Sequence, residues 1–222
     1  MSPHTLSRAL LVLSASLLVT AATAQVPRYA DQFERADVIA VEQDGRDLFG
    51  FDSLTGRRAA YRLEVGEAVH FMESRGRVGL VLTNRRALGI GPGTGFREVR
   101  FPPNEVPPEI GIVEDQVALL TTNKRVLGFI GRDGHWAEAA LAPSESAEAI
   151  RVGTAVAVVA TNRRALGLGT NVGGFVSLDL QVREVLESFS AQDTLATLRT
   201  NKRILVFGAP RGTWTIQDRA IR

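Results

Sequence analysis

The chain has 222 residues; 45% of them are hydrophobic and 23% are charged, a balance that excludes an intrinsically disordered protein. The formal net charge is only +2, so the chain lacks the basic bias typical of nucleic-acid-binding proteins, and the absence of cysteine excludes stabilisation by disulfides. We therefore expect a folded chain that is held together by packing and does not bind nucleic acid.

The N-terminal segment, residues 1–24, has the parts of a secretory signal peptide. Arg8 supplies a positive charge, residues 9–22 are mostly apolar, and the sequence ATA at 22–24 is an Ala-x-Ala cleavage site. An uncleaved anchor or a buried segment is the alternative, but the apolar run is short for a membrane span. We expect a mature domain over residues 25–222, without a membrane span, in the periplasm or outside the cell.

A four-residue phrase, Thr-Asn-(Arg/Lys)-Arg, recurs along the chain with a period of 39 residues. Its asparagines are Asn84, Asn123, Asn162 and Asn201, and one further step back reaches Gly45 in a diverged copy. Repeats of this length indicate a solenoid, a propeller or an array of small units. The sequence predicts five units in one repeat domain, with the approximate bounds 30–68, 69–107, 108–146, 147–185 and 186–222.

Each unit is predicted to contain four short β-strands, as the third unit illustrates. Its β-rich runs at 109–114, 117–122, 125–130 and 135–141 are separated by turn residues, as in antiparallel hairpins. Four-stranded units of about 40 residues resemble the blades of a β-propeller. The predicted fold class is all-β with five such repeats, most simply a five-bladed β-propeller; other closed or stacked β-repeat folds and an open array also fit the pattern.

Turn residues and one aromatic column also recur. A glycine at the same place in all five units suggests a positive φ or a close backbone approach: Gly56, Gly95, Gly134, Gly173 and Gly212. The Asn or Gly before the basic pair is expected to adopt the left-handed conformation of a tight hairpin. Trp136, Phe175 and Trp214 share a column, with Arg58 and Arg97 in the other units, and are expected to pack at the outer edge.

A mostly acidic column opens the predicted first strands: Asp31, His70, Glu109, Glu148 and Glu187. First strands line the axis of a propeller, so this column suggests a central acidic ring that binds a cation or performs acid–base chemistry. Five-bladed glycosidases place acids in such a channel, but their acids come from non-repeating positions. A repeating column favours a structural or solvated role.

Two basic columns follow the asparagine. The first is basic in every unit: Arg46, Arg85, Lys124, Arg163 and Lys202. The second is arginine in four units: Arg86, Arg125, Arg164 and Arg203. In an up-and-down blade these turns lie at the same end as the acidic column, so we expect the two to pair. Because lysine occurs only in the first column, the all-arginine column is the better candidate for an inter-repeat clamp, and the first column for an anionic ligand.

No nucleophile motif, zinc motif or phosphate-binding loop is recognisable. We therefore predict no catalytic residue, no metal and no cofactor, and we expect a monomer. The predicted function is non-enzymatic binding or scaffolding by an exported protein, with a protein, an acidic glycan or a lipid headgroup on the face with the basic turns. The alternatives are a glycan-processing hydrolase that uses Glu109 and Glu148, and a purely structural envelope component.

Overall fold

The computed structural model describes residues 37–219, which belong to one compact unit. These residues form strands, turns and loops, and among them no helix is long and apolar enough to cross a membrane. The predicted signal peptide and Asp31 lie outside the described residues. The segment in which the first strand of the first unit is predicted lies outside them as well.

The strands form five consecutive antiparallel sheets, which we call blades 1 to 5. Blade 1 consists of β1 (Ile39–Asp44), β2 (Asp47–Asp52) and β3 (Arg57–Arg62). Blade 2 consists of β4 (Val69–Arg75), β5 (Val78–Thr83), β6 (Arg86–Gly91) and β7 (Gly95–Arg100). Blade 3 consists of β8 (Ile112–Val113), β9 (Val117–Thr121), β10 (Arg125–Ile130) and β11 (His135–Ala140).

The last two blades repeat the same order of strands. Blade 4 consists of β12 (Ala147–Val152), β13 (Val156–Thr161), β14 (Arg164–Gly169) and β15 (Val176–Asp179). Blade 5 consists of β16 (Leu186–Gln192), β17 (Leu195–Thr200), β18 (Arg203–Gly208) and β19 (Thr213–Asp218). The predicted all-β fold of five antiparallel repeats is confirmed, and its architecture is that of a five-bladed β-propeller.

In blade 3, three of the four predicted strands match the observed bounds within one residue. The first strand is shorter than predicted, because only Ile112–Val113 pair with β9. Pro107 and Pro108 immediately precede this segment, and a proline has no N–H group to donate to a strand ladder.

The recurrent glycine mostly occupies the left-handed region, as the sequence suggests. Positive φ values between 60° and 69° occur at Gly56, Gly95, Gly134 and Gly212. Gly173 is the exception, because it has no positive φ. In blade 4 the fourth strand begins only at Val176, so the turn before it follows a different path.

Consecutive blades pack face to face, with a large side chain of one blade fitted over a glycine of the preceding one. These socket pairs are Gly50 with Ile90, Gly89 with Phe129, Gly128 with Leu168, and Gly167 with Phe207. A Cβ atom added to Gly167 would lie 2.6 Å from the Phe207 ring, so the close approach of the sheets requires glycine there.

At the end of the blades opposite the basic turns, backbone hydrogen bonds connect each blade to the next. They run from the N–H group of one blade's first hairpin to a carbonyl oxygen of the next: Val38 to Gly76 at 2.8 Å, Arg77 to Asp115 at 2.6 Å, Gln116 to Thr154 at 3.0 Å, and Ala155 to Asp193 at 2.8 Å. This ladder fixes the order and spacing of the five blades.

Burial separates the inner blades from the first and last. All six residues of β13 in blade 4 are buried, whereas β17 in blade 5 alternates between buried Leu198 and 52%-exposed Leu195. In blade 1, Leu48 is buried and Phe51 is 42% exposed. None of the extensive strand–strand contacts within residues 37–219 joins blade 1 to blade 5. Each of these two blades therefore has one partly uncovered face.

Candidate functional site

The Thr-Asn-(Arg/Lys)-Arg turns and the linkers between blades lie together at one end of the molecule, which we call the linker face. In blade 2, Oγ1 of Thr83 accepts hydrogen bonds from the backbone N–H groups of Arg85 and Arg86 at 3.1 and 3.0 Å. The same hydroxyl donates to Oε1 of Glu67 in the linker at 2.7 Å. This hydroxyl-to-carboxylate bond recurs between Thr161 and Glu145 and between Thr200 and Glu184.

The asparagine of the phrase binds the backbone of the preceding linker. Nδ2 of Asn162 donates to the carbonyl of Ser144 at 2.9 Å, and its Oδ1 accepts from the N–H of Ser146 at 3.3 Å. Linker contacts of this kind recur at Asn84, Asn123 and Asn201. None of the four has a positive φ. The prediction of a left-handed backbone at these asparagines is therefore wrong, because the side-chain amide, which binds the linker, is what the position requires. Of the five residues at this position, only Gly45 in the first unit is left-handed.

The second basic residue of each turn forms an ion pair with a linker glutamate whose side chain is at most 2% exposed. The pairs are Arg86–Glu67 at 2.9 Å, Arg125–Glu105 at 2.9 Å, Arg164–Glu145 at 2.8 Å and Arg203–Glu184 at 2.6 Å. Nη2 of the last three arginines also donates to the carbonyl that ends the preceding blade, in Arg100, Ala140 and Asp179 respectively. Each of these arginines thus contacts two blades and the linker between them.

Blade 2 contains the largest of these networks. Arg86, with a side chain 3% exposed, pairs with Glu64, Glu67 and Glu98, and its Nη1 donates to the hydroxyl of Tyr61 in blade 1 at 2.6 Å. Tyr61 in turn donates to Glu98. This hydrogen bond from Tyr61, with further bonds from nearby arginines, lowers the pKa of Glu98 to about 2. Burial and the bond to Glu98 raise the pKa of Tyr61 to about 12.

The linker glutamates of blades 4 and 5 are held ionised in the same way. Burial raises the pKa of Glu145 and Glu184, but the hydrogen bonds from Arg164, from Arg203 and from the linker backbone outweigh it, so both pKa values are lowered. At neutral pH these carboxylates are charged and already paired. Their chemistry supports the fold and leaves no proton to donate.

The predicted acidic column does not pair with the basic turns. Glu109 and Glu148 are exposed, and neither forms an ion pair within residues 37–219. Nε2 of His70 lies 3.0 Å from the carbonyl oxygen of Pro108. The linker glutamates meet the turn instead, because the linker passes directly over it.

Glu187 is the one member of that column with ion pairs among the described residues, and they do not involve the basic turns. Its Oε2 lies 3.2 Å from Nε of Arg199 and 2.6 Å from Nη1 of Arg219. All three residues belong to blade 5 or immediately follow it. Two guanidinium groups thus share one carboxylate.

The first basic column binds mainly carbonyl oxygens. The acceptors are those of Leu63 for Arg46 at 2.5 Å, Val65 for Arg85 at 3.3 Å, Pro143 for Arg163 at 2.9 Å, and Val182 for Lys202 at 2.6 Å. Lys124 is exposed and makes no side-chain hydrogen bond within the described part of the chain. Among the described residues, Arg85 alone in this column also pairs with a carboxylate, that of Glu64 at 2.8 Å.

Sequence reasoning missed the linker glutamates because blade 2 and the linker after it break the 39-residue register. Phe96, not Arg97, faces Ile90, where Trp136 faces Phe129 in blade 3. The linker after blade 2 contains one extra residue, which restores the 39-residue register, so Glu105 stands 20 residues before Arg125. The other spacing is 19 residues, as for Glu184 and Arg203, and this recurring interval was the available signal.

Two cavities open on the linker face. The larger, of about 510 Å³, lies beside blade 2 and is lined by Glu64, Asn84, Arg85, Arg86, Arg100, Phe101, Pro102, Pro103, Glu105 and Pro107. Its counterpart at blade 4, of about 350 Å³, has Ala142 in the place of Glu64. Within residues 37–219, no group of His, Asp or Glu side chains is arranged to hold a metal ion.

No protein-family model matches the chain, and no curated protein matches it in sequence. Among solved structures, it is similar to Prp20p from Saccharomyces cerevisiae (11% identity, 78% of this chain and 56% of that one, TM-score 0.39) and to human WBSCR16 (12%, 79% and 57%, 0.40). Kluyveromyces lactis Hsv2p is a further match (8%, 83% and 82%, 0.32). The chain spans just over half the length of the first two. The fold assignment therefore stands on the strand pairing itself: the chain is a repeat protein of β-propeller architecture.

Proposed function

We propose that this is an exported, non-enzymatic binding protein that binds a protein partner on its linker face. The observation that carries this proposal is the cavity of about 510 Å³ beside blade 2, a volume in the usual range of ligand sites. The arginines in its wall, Arg85, Arg86 and Arg100, are all ion-paired, so a partner would meet a preformed surface.

The walls of this cavity combine apolar and charged groups. Phe101, Pro102 and Pro103 form an apolar side, and prolines keep that backbone stiff. Arg85 and Arg100 border it with side chains 44% and 64% exposed. A peptide segment with an acidic residue next to an apolar one matches both sides.

A protein partner fits these charges better than an acidic glycan or a lipid headgroup. Around the cavity, Arg85, Arg86 and Arg100 are balanced by Glu64, Glu67 and Glu98, which bind them directly. Polyanions bind through surplus positive charge, and this network holds none. Local apolar contacts with one or two charge pairs suit a peptide segment.

The hydrolase alternative has less support. Glu109 and Glu148 line neither of the linker-face cavities. A glycosidase requires two carboxyl groups about 5–10 Å apart across one bound sugar. The acids that do cluster at the linker face are committed to arginines.

The proposal can be tested by selecting peptides from a random display library on the immobilised protein. We expect the selected peptides to carry Asp or Glu beside apolar residues. The double variant Arg85→Glu/Arg100→Glu should weaken their binding at least tenfold. The matched control Arg151→Glu/Arg211→Glu changes the same charge on exposed residues that do not line the cavity and should bind as the unmodified protein does.

Thermal unfolding of both variants checks that the linker face remains folded. Absence of enriched peptides, or equal binding by the cavity variant, would overturn the proposal. Heparin and phosphatidylglycerol vesicles are the probes for the polyanion alternative. Salt-sensitive binding of either probe by the unmodified protein, without peptide enrichment, would favour that alternative.

A further inference from the structure

The fifth blade lacks the socket that the other blades offer to their successors. Gly50, Gly89, Gly128 and Gly167 each accept a large side chain of the next blade, and the corresponding residue in blade 5 is Val206. The matching large residue in blade 1 is Phe51, which stands one period before Ile90 and is 42% exposed. Phe51 thus has no glycine socket within residues 37–219.

The two uncovered faces differ in composition from the inner ones. On blade 5, Thr197 and Arg199 occupy positions that are Leu80 and Leu82 in blade 2. On blade 1, Glu42 replaces the buried Val81. Faces that are polar but still carry exposed apolar residues are typical of an interface between separately folded molecules, not of a permanent core.

The charges of the two faces are complementary. Blade 1 presents Glu42 and Asp44, which form no ion pair within residues 37–219, together with Asp47, whose partner is 3.8 Å away. Blade 5 presents Arg199, 53% exposed, which shares Glu187 with a second arginine and so retains positive charge. In the register of the inner interfaces, Arg199 would come to face Glu42 and Asp44.

We propose that the uncovered face of blade 5 binds the uncovered face of blade 1 of a second copy of this chain, head to tail. The contact follows the arrangement of the inner interfaces, with Val206 holding the sheets further apart than a glycine would. This inference is independent of the linker-face function, because it uses neither the cavity nor the basic turns. It differs from the monomer expected from the sequence, and also from a propeller ring closed by blades 1 and 5 of the same chain.

The area of such a contact favours a closed assembly. The smaller face is that of blade 1, whose three described strands of six residues cover about 300 Å², so one face-to-face contact removes about 600 Å² from water. Stable interfaces bury about 1,200–2,000 Å². Two head-to-tail contacts in a two-copy ring reach the lower end of that range, and heterologous contacts of this kind close into rings when the rotation permits.

The first test uses the absence of cysteine, since only introduced thiols can react. The double variant Phe51→Cys/Val206→Cys is treated with a short bis-maleimide at micromolar concentration. We expect cross-links between chains, seen as a doubled mass, while each single variant stays uncross-linked. A cross-link within one chain would show that the blades close on themselves, and no cross-link at all would show that the faces do not meet; either result overturns the proposal.

The second test measures association by sedimentation equilibrium. Arg199→Glu should raise the dissociation constant at least tenfold, and adding Glu42→Arg/Asp44→Arg to the same chain should restore it. Arg151→Glu, an equal charge change away from both faces, should leave it unchanged. A chain that remains monomeric at all concentrations, or a swap without restoration, contradicts the proposal.

Discussion

The two faces of blade 5 offer the sharpest comparison in the molecule. Towards blade 4, Leu198, Leu205 and Phe207 are completely buried. On the opposite side of the same strands, Ile204 and Val206 are only partly buried. Because successive side chains of a strand point to opposite faces of the sheet, one short sequence packs against the neighbouring blade on one face and contacts solvent on the other.

Blade 1 shows the same division with the opposite face uncovered. Ile39 and Leu48 pack against blade 2, whereas Ala40 is exposed and Phe51 lacks a socket. Repeat proteins commonly give their outermost units a more polar outer face. The residues that differ between blades are therefore those that contact, or lack, a neighbouring blade. The strand pattern that all blades share determines the sheet within each blade.

Substitutions of two arginines of blade 5 test this comparison between its packed and uncovered faces, and they have the largest expected effect on stability. Arg203 faces blade 4 and pairs with Glu184, whose side chain is completely buried, whereas Arg199 lies on the uncovered face. Arg203→Met leaves a buried carboxylate without its partner and should lower the free energy of unfolding by about 3–5 kcal/mol. Arg199→Met removes an exposed pair and should cost about 0–1 kcal/mol.

Urea unfolding at low protein concentration, where association does not contribute, measures both variants. Glu184→Gln/Arg203→Met removes both charges and should recover part of the loss. Equal effects of the two single variants would show that the inner and outer faces do not differ as described.

The sequence is sufficient to predict the fold because the repeat makes the strand pattern visible several times. A break in one unit does not hide the pattern in the others: the strands of blade 3 from Val117 onward agree with prediction within one residue. Hairpin strands are set by local alternation and turn residues, which a single sequence displays.

The candidate site was harder to predict because its partners are not in one column. The pairing of Arg125 with Glu105 crosses a blade boundary at which the register has shifted by one residue. The role of Asn162 was also hidden, since an asparagine in a turn fits a left-handed backbone as well as an amide that binds a linker. Only the three-dimensional path of the linker distinguishes these uses.

A pair of glycines provides a smaller test, with effects of opposite sign. In blade 4, an added Cβ at Gly167 would contact the buried Phe207 ring at 2.6 Å. In blade 5, one at Gly208 would find its nearest atom, in Leu195, at 3.9 Å. Gly167→Ala should therefore cost about 1–3 kcal/mol through overpacking. Gly208→Ala should be neutral or stabilise by up to about 1 kcal/mol, because alanine reduces the entropy of the unfolded chain.

Urea unfolding of both alanine variants is the measurement. If Gly167→Ala were as stable as Gly208→Ala, the inner blades would have to separate easily. The packing description of four glycine sockets would then be wrong.

The smallest expected effect concerns acid stability at the interface between blades 1 and 2. Glu98 has a folded pKa of about 2, below the ordinary 4.5, because it is hydrogen-bonded by Tyr61 and nearby arginines. A lowered carboxyl pKa contributes stability that is present above about pH 4.5 and is lost as the pH falls towards 2. The melting temperature should fall over this pH window, and it should fall less steeply in the Glu98→Gln variant.

The Tyr61→Phe variant keeps the carboxylate but removes the main cause of its pKa shift, so its acid unfolding should begin at higher pH than that of the unmodified protein. An unchanged acid profile in Tyr61→Phe would mean that this hydrogen bond does not couple the two blades, and the inner interface would then depend on apolar packing and its arginine clamp alone.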